Sequence, residues 1–252
     1  MRIRVTLAFE DALSLPISYQ QALQAMVYRM IGDKELQHFL HNQGFSFENA
    51  RFKPLCYSWL QGAYRVQGHR LTFTSPVTFS ISSCWELPVH MLMASLEERK
   101  EFHLMGTPVR VEKVERVKEP VFTEDMTVRT LSPITIYSTL YTSEGKKVTH
   151  YYDPQDRKFS ELIQQNLIKK AQAFCLGDFT GQPFRIQPVG SSASRRQRTV
   201  QYKGIIIKAW HGTFRLSGNP ELKRLAYQSG VGGKNAHGFG LVEVYSPSGS
   251  RQ

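Results

Sequence analysis

The sequence is poor in cysteine and contains no long apolar run. Its three cysteines, Cys56, Cys84 and Cys175, are odd in number and form no C-x-x-C pair. This argues against a disulfide framework and a cysteine zinc site, and favours a reducing compartment. No apolar segment approaches the roughly 20 residues that a membrane span needs, and residues 1–4 lead into an alternating strand rather than a signal peptide. We therefore expect a soluble, cytoplasmic protein with no membrane partner.

Acidic residues are scarce in the second half of the chain. The 252 residues contain 32 Lys and Arg against 21 Asp and Glu, a net charge of +11. Residues 1–120 hold 14 basic and 12 acidic residues, whereas residues 121–252 hold 18 and 9. Between residues 181 and 220 there are seven basic residues and no acid. Solvated surfaces usually mix charge signs, so this excess predicts a polyanionic partner, with nucleic acid ahead of an acidic membrane surface.

The order of predicted elements repeats once along the chain. Residues 2–9 alternate with the period of a half-buried strand, and the apolar residues Leu23, Met26, Val27 and Met30 follow at helical spacing. Each half approximates β-α-β-β-α-β. The predicted fold class is α+β, with two tandem ferredoxin-like (RRM-like, βαββαβ) domains at residues 1–120 and 121–252.

Two finer expectations concern strands. The apolar and aromatic run Arg51–Trp59 predicts one strand, in which Pro54 marks an edge or a bulge. Another single strand is predicted over Thr199–Trp210. The basic run Arg195–Arg198 follows Ser191-Ser192-Ala193-Ser194, a composition that favours a mobile loop that becomes ordered on RNA.

A glycine cluster near the end of the chain is the most distinctive motif. Residues 230–240 have the pattern Gly-apolar-Gly, five residues, Gly-apolar-Gly, with Lys234 and His237 inside it. A dinucleotide fingerprint requires Gly-x-Gly-x-x-Gly before a helix, whereas here Asn235 takes the third glycine position and a strand follows. A P-loop requires Ser or Thr after Gly-Lys. Both nucleotide motifs are therefore excluded, and a flexible hairpin connection remains the simplest alternative.

The cluster resembles the C-terminal glycine-rich signature of the RAMP superfamily of CRISPR-associated proteins. The chain as a whole is similar to the repeat-processing endoribonuclease branch of that superfamily, which cuts precursor CRISPR RNA within each repeat. The features that carry the resemblance occur in the order of that family: the opening strand, Tyr28-Arg29, Tyr57-Ser58, Thr130-Leu131-Ser132-Pro133, Asn166-Leu167 with Lys169-Lys170, and the final glycine loop.

The resemblance implies three catalytic residues in the first half. His41 would be the catalytic histidine, Tyr28 would orient the phosphate or donate a proton, and Lys53 would stabilise charge on the phosphorane. His38, one helical turn before His41, is the rival histidine. Without the resemblance, Tyr28 would be interpreted as a tyrosine at the edge of the core, and Lys53 as a solvated lysine on an edge strand.

The resemblance and the charge pattern together imply an RNA-binding surface in the second half. Within the loop, His237 is expected to contact a phosphate or a base rather than to act as the catalyst. The predicted RNA-binding residues are Gly230, Gly232, Gly233, Lys234, Asn235, His237, Gly238, Gly240, Arg195, Arg196, Arg198 and Lys203.

The function implied by the resemblance is a metal-independent endoribonuclease that uses no cofactor and acts on precursor CRISPR RNA. The 2′-hydroxyl of the RNA would attack the adjacent phosphorus, leaving a 2′,3′-cyclic phosphate and a 5′-hydroxyl. The alternative is a non-catalytic RNA-binding RAMP subunit of a CRISPR effector complex, which would not require His41. The sequence leaves open whether the protein forms a homodimer and whether it associates with such a complex.

Overall fold

The computed structural model describes residues 1–191 and 195–245. Up to residue 116, the strands alternate with three helices and a π-helical turn, called the π-turn below. In chain order these elements are β1 Arg2–Ala8, β2 Leu13–Pro16, α1 Gln20–Met30, α2 Lys34–His38, the π-turn Phe39–Gln43, β3 Phe45–Phe47, β4 Ala50–Phe52, β5 Cys56–Tyr57, β6 Tyr64–Gln67, β7 Arg70–Phe73, β8 Val77–Ser82, α3 Leu87–Glu98, β9 Glu101–Leu104 and β10 Thr107–Arg116.

The remaining elements begin at residue 125. In chain order they are β11 Asp125–Thr130, β12 Tyr137–Tyr141, β13 Lys147–Tyr151, α4 Arg157–Ala173, β14 Phe184–Val189, β15 Arg196–Tyr202, β16 Ile205–His211, β17 Thr213–Gly218, α5 Pro220–Ser229, a 3-10 turn Asn235–His237 and β18 Val242–Val244. No helix of the described residues is long and apolar enough to cross a membrane.

The local sequence explains the first elements well. In α1 the apolar residues at helical spacing, Leu23, Met26, Val27 and Met30, are all fully buried, as expected for an amphipathic helix that packs on a sheet. Asp33 caps α2, because its Oδ1 accepts a hydrogen bond of 2.7 Å from the backbone N–H of Leu36.

Two antiparallel sheets organise the chain. The first has the strand order β5-β8-β1-β10-β9, and the second has the order β14-β17-β11-β18. In both sheets the four strands of a β-α-β-β-α-β unit lie in the spatial order second, third, first, fourth, and β9 adds an edge to the first sheet. This is the ferredoxin-like plan, so the predicted α+β class and the tandem ferredoxin-like arrangement are confirmed.

Each sheet has its own apolar core. The core against the first sheet is built from residues 3–111, and the core against the second from residues 126–242. The segment between β10 and β11, residues 117–124, contains no strand or helix. The predicted domain boundary after residue 120 lies in this segment and stays a prediction.

Buried and half-buried side chains join the two halves. Arg2 of β1 is only 4% exposed, and its guanidinium donates to the carbonyls of Val242, at 2.7 Å, and Tyr227. Phe174, which follows α4, meets the ring of Phe45 edge-on with centroids 5.6 Å apart. These contacts fix the second half against β1 and β3 of the first.

The expectation of one strand over Arg51–Trp59 was wrong. Residues up to Phe52 belong to β4, which pairs with β3, whereas Cys56 and Tyr57 form β5 at the edge of the first sheet. Pro54 lies between the two strands, and because it lacks an N–H it cannot continue a ladder of hydrogen bonds. The proline therefore separates two strands instead of producing a bulge in one.

The expectation of a single strand over Thr199–Trp210, preceded by a mobile basic loop, was also wrong. β15 and β16 pair as a hairpin whose tip is Lys203-Gly204. Arg196 and Arg198 lie in β15 itself, with Arg195 immediately before it. Pairing of their backbone with β16 explains why they are extended rather than in a loop. Ser192, Ala193 and Ser194 of the predicted loop lie outside the described residues.

Candidate active site

The π-turn holds His41 at the surface next to α1. Leu40 is fully buried and anchors the turn, while His41 is exposed. The Tyr28 hydroxyl donates to the Leu40 carbonyl at 3.3 Å, and the Tyr28 ring meets the His41 ring edge-on with centroids 5.5 Å apart. Burial raises the pKa of Tyr28, so the phenol remains protonated. Tyr28 therefore supports the turn and the imidazole in this structure.

Asn42 connects the two candidate histidines. Its Oδ1 lies 2.7 Å from His41 Nδ1, and its Nδ2 lies 3.0 Å from His38 Nδ1. An amide oxygen can only accept a hydrogen bond, so His41 Nδ1 carries the proton, and the neutral ring has its lone pair on Nε2. The amide nitrogen can only donate, so His38 Nδ1 is an acceptor. The amide thus sets both tautomers and leaves His41 Nε2 able to accept a proton.

Lys53 is bound to the same turn. It follows β4 and is half-buried, and its Nζ donates a hydrogen bond to the backbone carbonyl of His41. Burial, followed by the nearby charge of Lys203, lowers the pKa of Lys53. The influence of Lys203 places the tip of the β15–β16 hairpin close to this lysine.

The glycine loop, residues 230–240, is packed against the protein rather than open. A Cβ on Gly240 would lie 2.0 Å from the Val231 carbonyl oxygen, and one on Gly238 would lie 2.7 Å from the Tyr57 ring. Both glycines have a positive φ, near 80°. These positions therefore require glycine because the backbone approaches other parts of the chain closely.

The side chain of Asn235 also makes hydrogen bonds within the loop. It is 6% exposed, and its Nδ2 donates to the carbonyls of Val231, at 3.3 Å, and Phe239, at 3.0 Å. Of the residues predicted to bind RNA, Asn235, Gly230, Gly232, Gly238 and Gly240 are buried, and their contact with RNA stays a prediction. Gly233, Lys234 and His237 are half-buried and are the more accessible members of the loop.

His237 lies close enough to the π-turn for the charge of His41 to affect its pKa. Burial, followed by the charges of Lys234, Lys53, Lys203 and His41, lowers the pKa of His237 to about 4. Residues that are nearly 200 positions apart in the sequence therefore share one electrostatic environment. His237 is neutral at pH 7, and its Nδ1 is buried without a hydrogen-bond partner among the described residues.

A cleft of about 510 Å³ lies beside this cluster. Its lining includes five basic residues, and none of the described residues that line it is acidic. The basic residues are Arg51, Lys53, Lys169, Lys170 and Lys234. A cleft of this charge attracts anions, and the phosphates of a nucleic-acid backbone are such a ligand. In residues 1–191 and 195–245, no three His, Cys, Asp or Glu side chains are grouped to hold a metal ion.

The β15–β16 hairpin extends from this cluster. At its tip, the Tyr202 hydroxyl donates to Oε1 of Gln24, and the Tyr202 ring meets the His237 ring edge-on at 4.9 Å. Arg196 and Arg198 are exposed toward the other end of β15, roughly 20 Å and roughly 13 Å from Tyr202 by the rise per residue of a strand. The basic members of the predicted RNA-binding set, Lys234 and Lys203 near the cluster and Arg195, Arg196 and Arg198 farther along, therefore form an extended basic path.

The structure thus brings together Tyr28, His41, Lys53, Lys203, Lys234 and His237, while the arginines lie farther along the hairpin. Sequence reasoning missed Asn42, although its position next to His41 and four residues after His38 was a usable signal. It also missed the position of Tyr202 against His237 and the burial of Lys170, which depend on contacts across the fold and leave no local pattern.

Comparison with known proteins identifies the relatives of the chain. The family model described as CRISPR associated protein Cas6, C-terminal, matches residues 117–244. The CRISPR-associated endoribonuclease Cas6 of Pyrococcus furiosus is 27% identical over 97% of this chain and 90% of its own length. CRISPR-associated endoribonuclease Cas6 1 of Methanocaldococcus jannaschii is 26% identical over 96% of this chain and 92% of its own length.

A solved structure shares the fold along the whole chain. It is described as a RAMP protein binding different RNA substrates, and it superposes with a TM-score of 0.83 at 19% identity. The match covers 98% of this chain and 100% of that structure. At this identity the likeness establishes the common tandem ferredoxin-like fold.

Proposed function

Because the chain belongs to the Cas6 family, we propose that it is a metal-independent endoribonuclease that cuts precursor CRISPR RNA within its repeats. Support comes from two relatives that are named as endoribonucleases and that match this chain over nearly their whole length. The observation that carries the proposal is the position of His41, an exposed histidine whose tautomer Asn42 sets, next to a basic cleft.

The proposed reaction is an internal transesterification. The 2′-oxygen of one nucleotide forms a bond to the adjacent phosphorus, and the bond from phosphorus to the 5′-oxygen of the next nucleotide breaks. His41 Nε2 acts as the general base and accepts the proton of the 2′-hydroxyl. A second, protonated group acts as the general acid and donates a proton to the departing 5′-oxygen. The products are a 2′,3′-cyclic phosphate and a 5′-hydroxyl. A placed general base contributes about 10²–10⁴ in rate.

Lys53 has the role of stabilising the phosphorane. Its ammonium lies at the junction of the π-turn and the cleft, where negative charge develops on the phosphoryl oxygens. Tyr28 does not contact the phosphate in this proposal, since its hydroxyl donates a hydrogen bond to the Leu40 carbonyl. It supports the imidazole of His41 instead of donating a proton to the phosphate.

The RNA would lie along the basic path. Lys234 and His237 contact phosphates next to the scissile one, Lys203 adds a charge at the hairpin tip, and the arginines of β15 hold a more distant part of the strand. A neutral His237 can accept or donate a hydrogen bond without adding a charge. Most of the affinity then comes from the second half, although the cutting group lies in the first.

One experiment tests the proposal. The protein is incubated with RNA of its host CRISPR repeat in EDTA, the cut position is mapped, and the reaction is repeated with a 2′-deoxy nucleotide at that position. We expect cutting of the all-ribose RNA and no cutting of the substituted one. Tight binding without cutting would instead identify a non-catalytic RNA-binding subunit, and cutting of the 2′-deoxy RNA would rule out 2′-hydroxyl attack.

A further inference from the structure

A buried ammonium ion lies beneath the glycine loop. Lys170, on the face of α4 that packs inward, is only 3% exposed. Its Nζ donates three hydrogen bonds, to the carbonyls of Gly230 at 2.7 Å and Gly232 at 3.1 Å and to Oδ1 of Asn235 at 2.8 Å. Three donors and three acceptors match, so every N–H of the ammonium is used.

This arrangement is costly for the protein. Removing an ammonium ion from water costs several kcal/mol, and among the described residues no carboxylate forms an ion pair with Lys170. Burial lowers the pKa of Lys170 to about 8, so the group is still mostly protonated at pH 7. A buried charge that is compensated by neutral oxygens alone suggests that its position is used for something besides stability.

The three acceptors lie where they control the shape of the loop. Gly230 and Gly232 begin the loop, and Asn235 lies in its centre and reaches Val231 and Phe239 through its Nδ2. Lys170 and Asn235 therefore connect the beginning, centre and end of the loop through side-chain hydrogen bonds. Between Gly232 and Asn235, the backbone holds Lys234 in a left-handed conformation, with φ of 57°.

The loop is held against electrostatic repulsion. Lys234 shares its surroundings with Lys53 and Lys203, as the combined effect of the three lysines on the pKa of His237 shows. Without RNA, these charges repel one another, which favours movement of Lys234 away from the cleft. The hydrogen bonds of Lys170 oppose that movement, and bound phosphates would remove the repulsion.

We propose that Lys170 is a positioning residue that holds the glycine loop so that Lys234 and His237 face the RNA backbone. The proposal rests on the proposed function in that RNA is the ligand, but it concerns binding and does not require that the RNA be cut. Lys170 acts through the loop, and its ammonium makes no contact with the RNA.

The test compares two buried lysines. Lys170→Met removes the ammonium and keeps the length of the side chain. Lys223→Met is the matched control, because Lys223 is also fully buried and donates to two backbone carbonyls, those of Thr123 and Glu124. Binding of host repeat RNA, made with 2′-deoxy at the mapped cut position, is measured by fluorescence anisotropy over a range of salt concentrations, beside thermal unfolding of each variant.

We expect Lys170→Met to weaken RNA binding about five- to tenfold and to flatten the salt dependence by about 0.7 for each phosphate that the variant no longer binds. Lys223→Met should lower the midpoint of thermal unfolding without changing the salt dependence. In a Lys234→Ala background, Lys170→Met should have a smaller effect on binding, because one side chain that it positions is already absent. A structural role alone would give the same decrease in affinity in both backgrounds.

Asn235→Ala gives a second route if Lys170→Met does not fold. It removes one acceptor and should reproduce the flatter salt dependence in a folded protein. Unchanged affinity and salt dependence in a folded Lys170→Met or Asn235→Ala protein would overturn the proposal. If the wild-type protein binds the repeat RNA without cutting it, the nuclease proposal fails, and the same binding test, made with the unmodified repeat RNA, still decides the role of Lys170.

Discussion

The side chain of Lys53 donates a hydrogen bond to the backbone carbonyl of His41. The residue after β4 and the π-turn are thereby joined, although 11 residues, including a β-hairpin, lie between His41 and Lys53 in the sequence. The same lysine is close enough to His237 for its charge to help lower the pKa of His237, and its own pKa is lowered in part by the charge of Lys203. The candidate catalytic group and the candidate RNA-binding loop therefore lie side by side, at the meeting of the two halves.

Replacing His41 should separate cutting from binding. We expect His41→Ala to bind repeat RNA with nearly normal affinity and to cut it at least about 10²-fold more slowly, because the general base is removed. His38→Ala should have a much smaller effect, since His38 contributes only an acceptor to the Asn42 amide. Single-turnover cleavage in EDTA measures both rates. A His38→Ala protein that is the slower of the two would transfer the catalytic role to His38.

Removing basic side chains along the proposed RNA path should change the salt dependence of binding. For Lys203→Ala and Lys234→Ala, the slope of log K against log salt should become shallower by about 0.7 for each phosphate that is no longer neutralised. The triple variant Arg195→Ala, Arg196→Ala, Arg198→Ala should show a larger change. Lys113→Ala is the control, because Lys113 lies in β10 and is paired with Glu115 at 2.8 Å.

Anisotropy titrations at several salt concentrations give these slopes directly. A slope equal to that of the wild type in the triple variant would show that the hairpin arginines do not contact phosphate. An equal slope in Lys234→Ala would place the RNA away from the glycine loop.

Features that depend on a single helix or strand were predictable from the sequence. The buried face of α1 follows from its helical spacing, and the start of α2 follows from the Asp33 cap. The tip of the β15–β16 hairpin was not recognised, because Lys203 and Gly204 both have a positive φ. Hairpin turns of that kind usually carry Asn-Gly or Asp-Gly, and a lysine with positive φ is uncommon.

The site itself was only partly predictable. The resemblance pointed to Tyr28, His41 and Lys53, and the structure places them in contact or connected through the π-turn. Nothing local indicates that His237 lies beside them, since that proximity comes from packing of one half on the other. The buried state of Arg2 was equally hidden, because it shares the outward face of β1 with the exposed Arg4 and is buried through contacts with α5 and β18.

Arg2 should therefore contribute to stability through the contact between the halves. Arg2→Met would leave the carbonyls of Val242 and Tyr227 without their donors and would remove the guanidinium that lies 3.5 Å from the centre of the Tyr227 ring. We expect the free energy of unfolding to fall by about 2 kcal/mol. Arg4→Met, an exposed change two residues away on the same strand, should stay within about 0.5 kcal/mol of the wild type. Urea-induced unfolding measures both, and equal decreases in the two variants would contradict the role given to Arg2.

His211 should make the folded state sensitive to acid. Burial, followed by the charges of Arg198 and Arg196, lowers the pKa of His211 to about 4, while Thr130 Oγ1 lies 3.0 Å from its Nδ1. In the unfolded chain the pKa of histidine is near 6.5. As the pH falls from about 6.5 to 4, His211 becomes protonated in the unfolded state but stays neutral in the folded state. The free energy of unfolding therefore decreases over this range.

Above pH 7 both states are neutral at this position, and the contribution of His211 is constant. His211→Gln keeps a polar group near Thr130 and cannot titrate, so we expect its free energy of unfolding to fall less steeply between pH 6.5 and 4, by about 1 kcal/mol per pH unit. His237, whose pKa is also lowered to about 4, contributes in the same range, and a double variant with His237→Gln should be flatter still. Urea-induced unfolding at pH 7.5, 6.0, 5.0 and 4.5 gives the slopes. A His211→Gln protein with the slope of the wild type would mean that His211 is already protonated in the folded state.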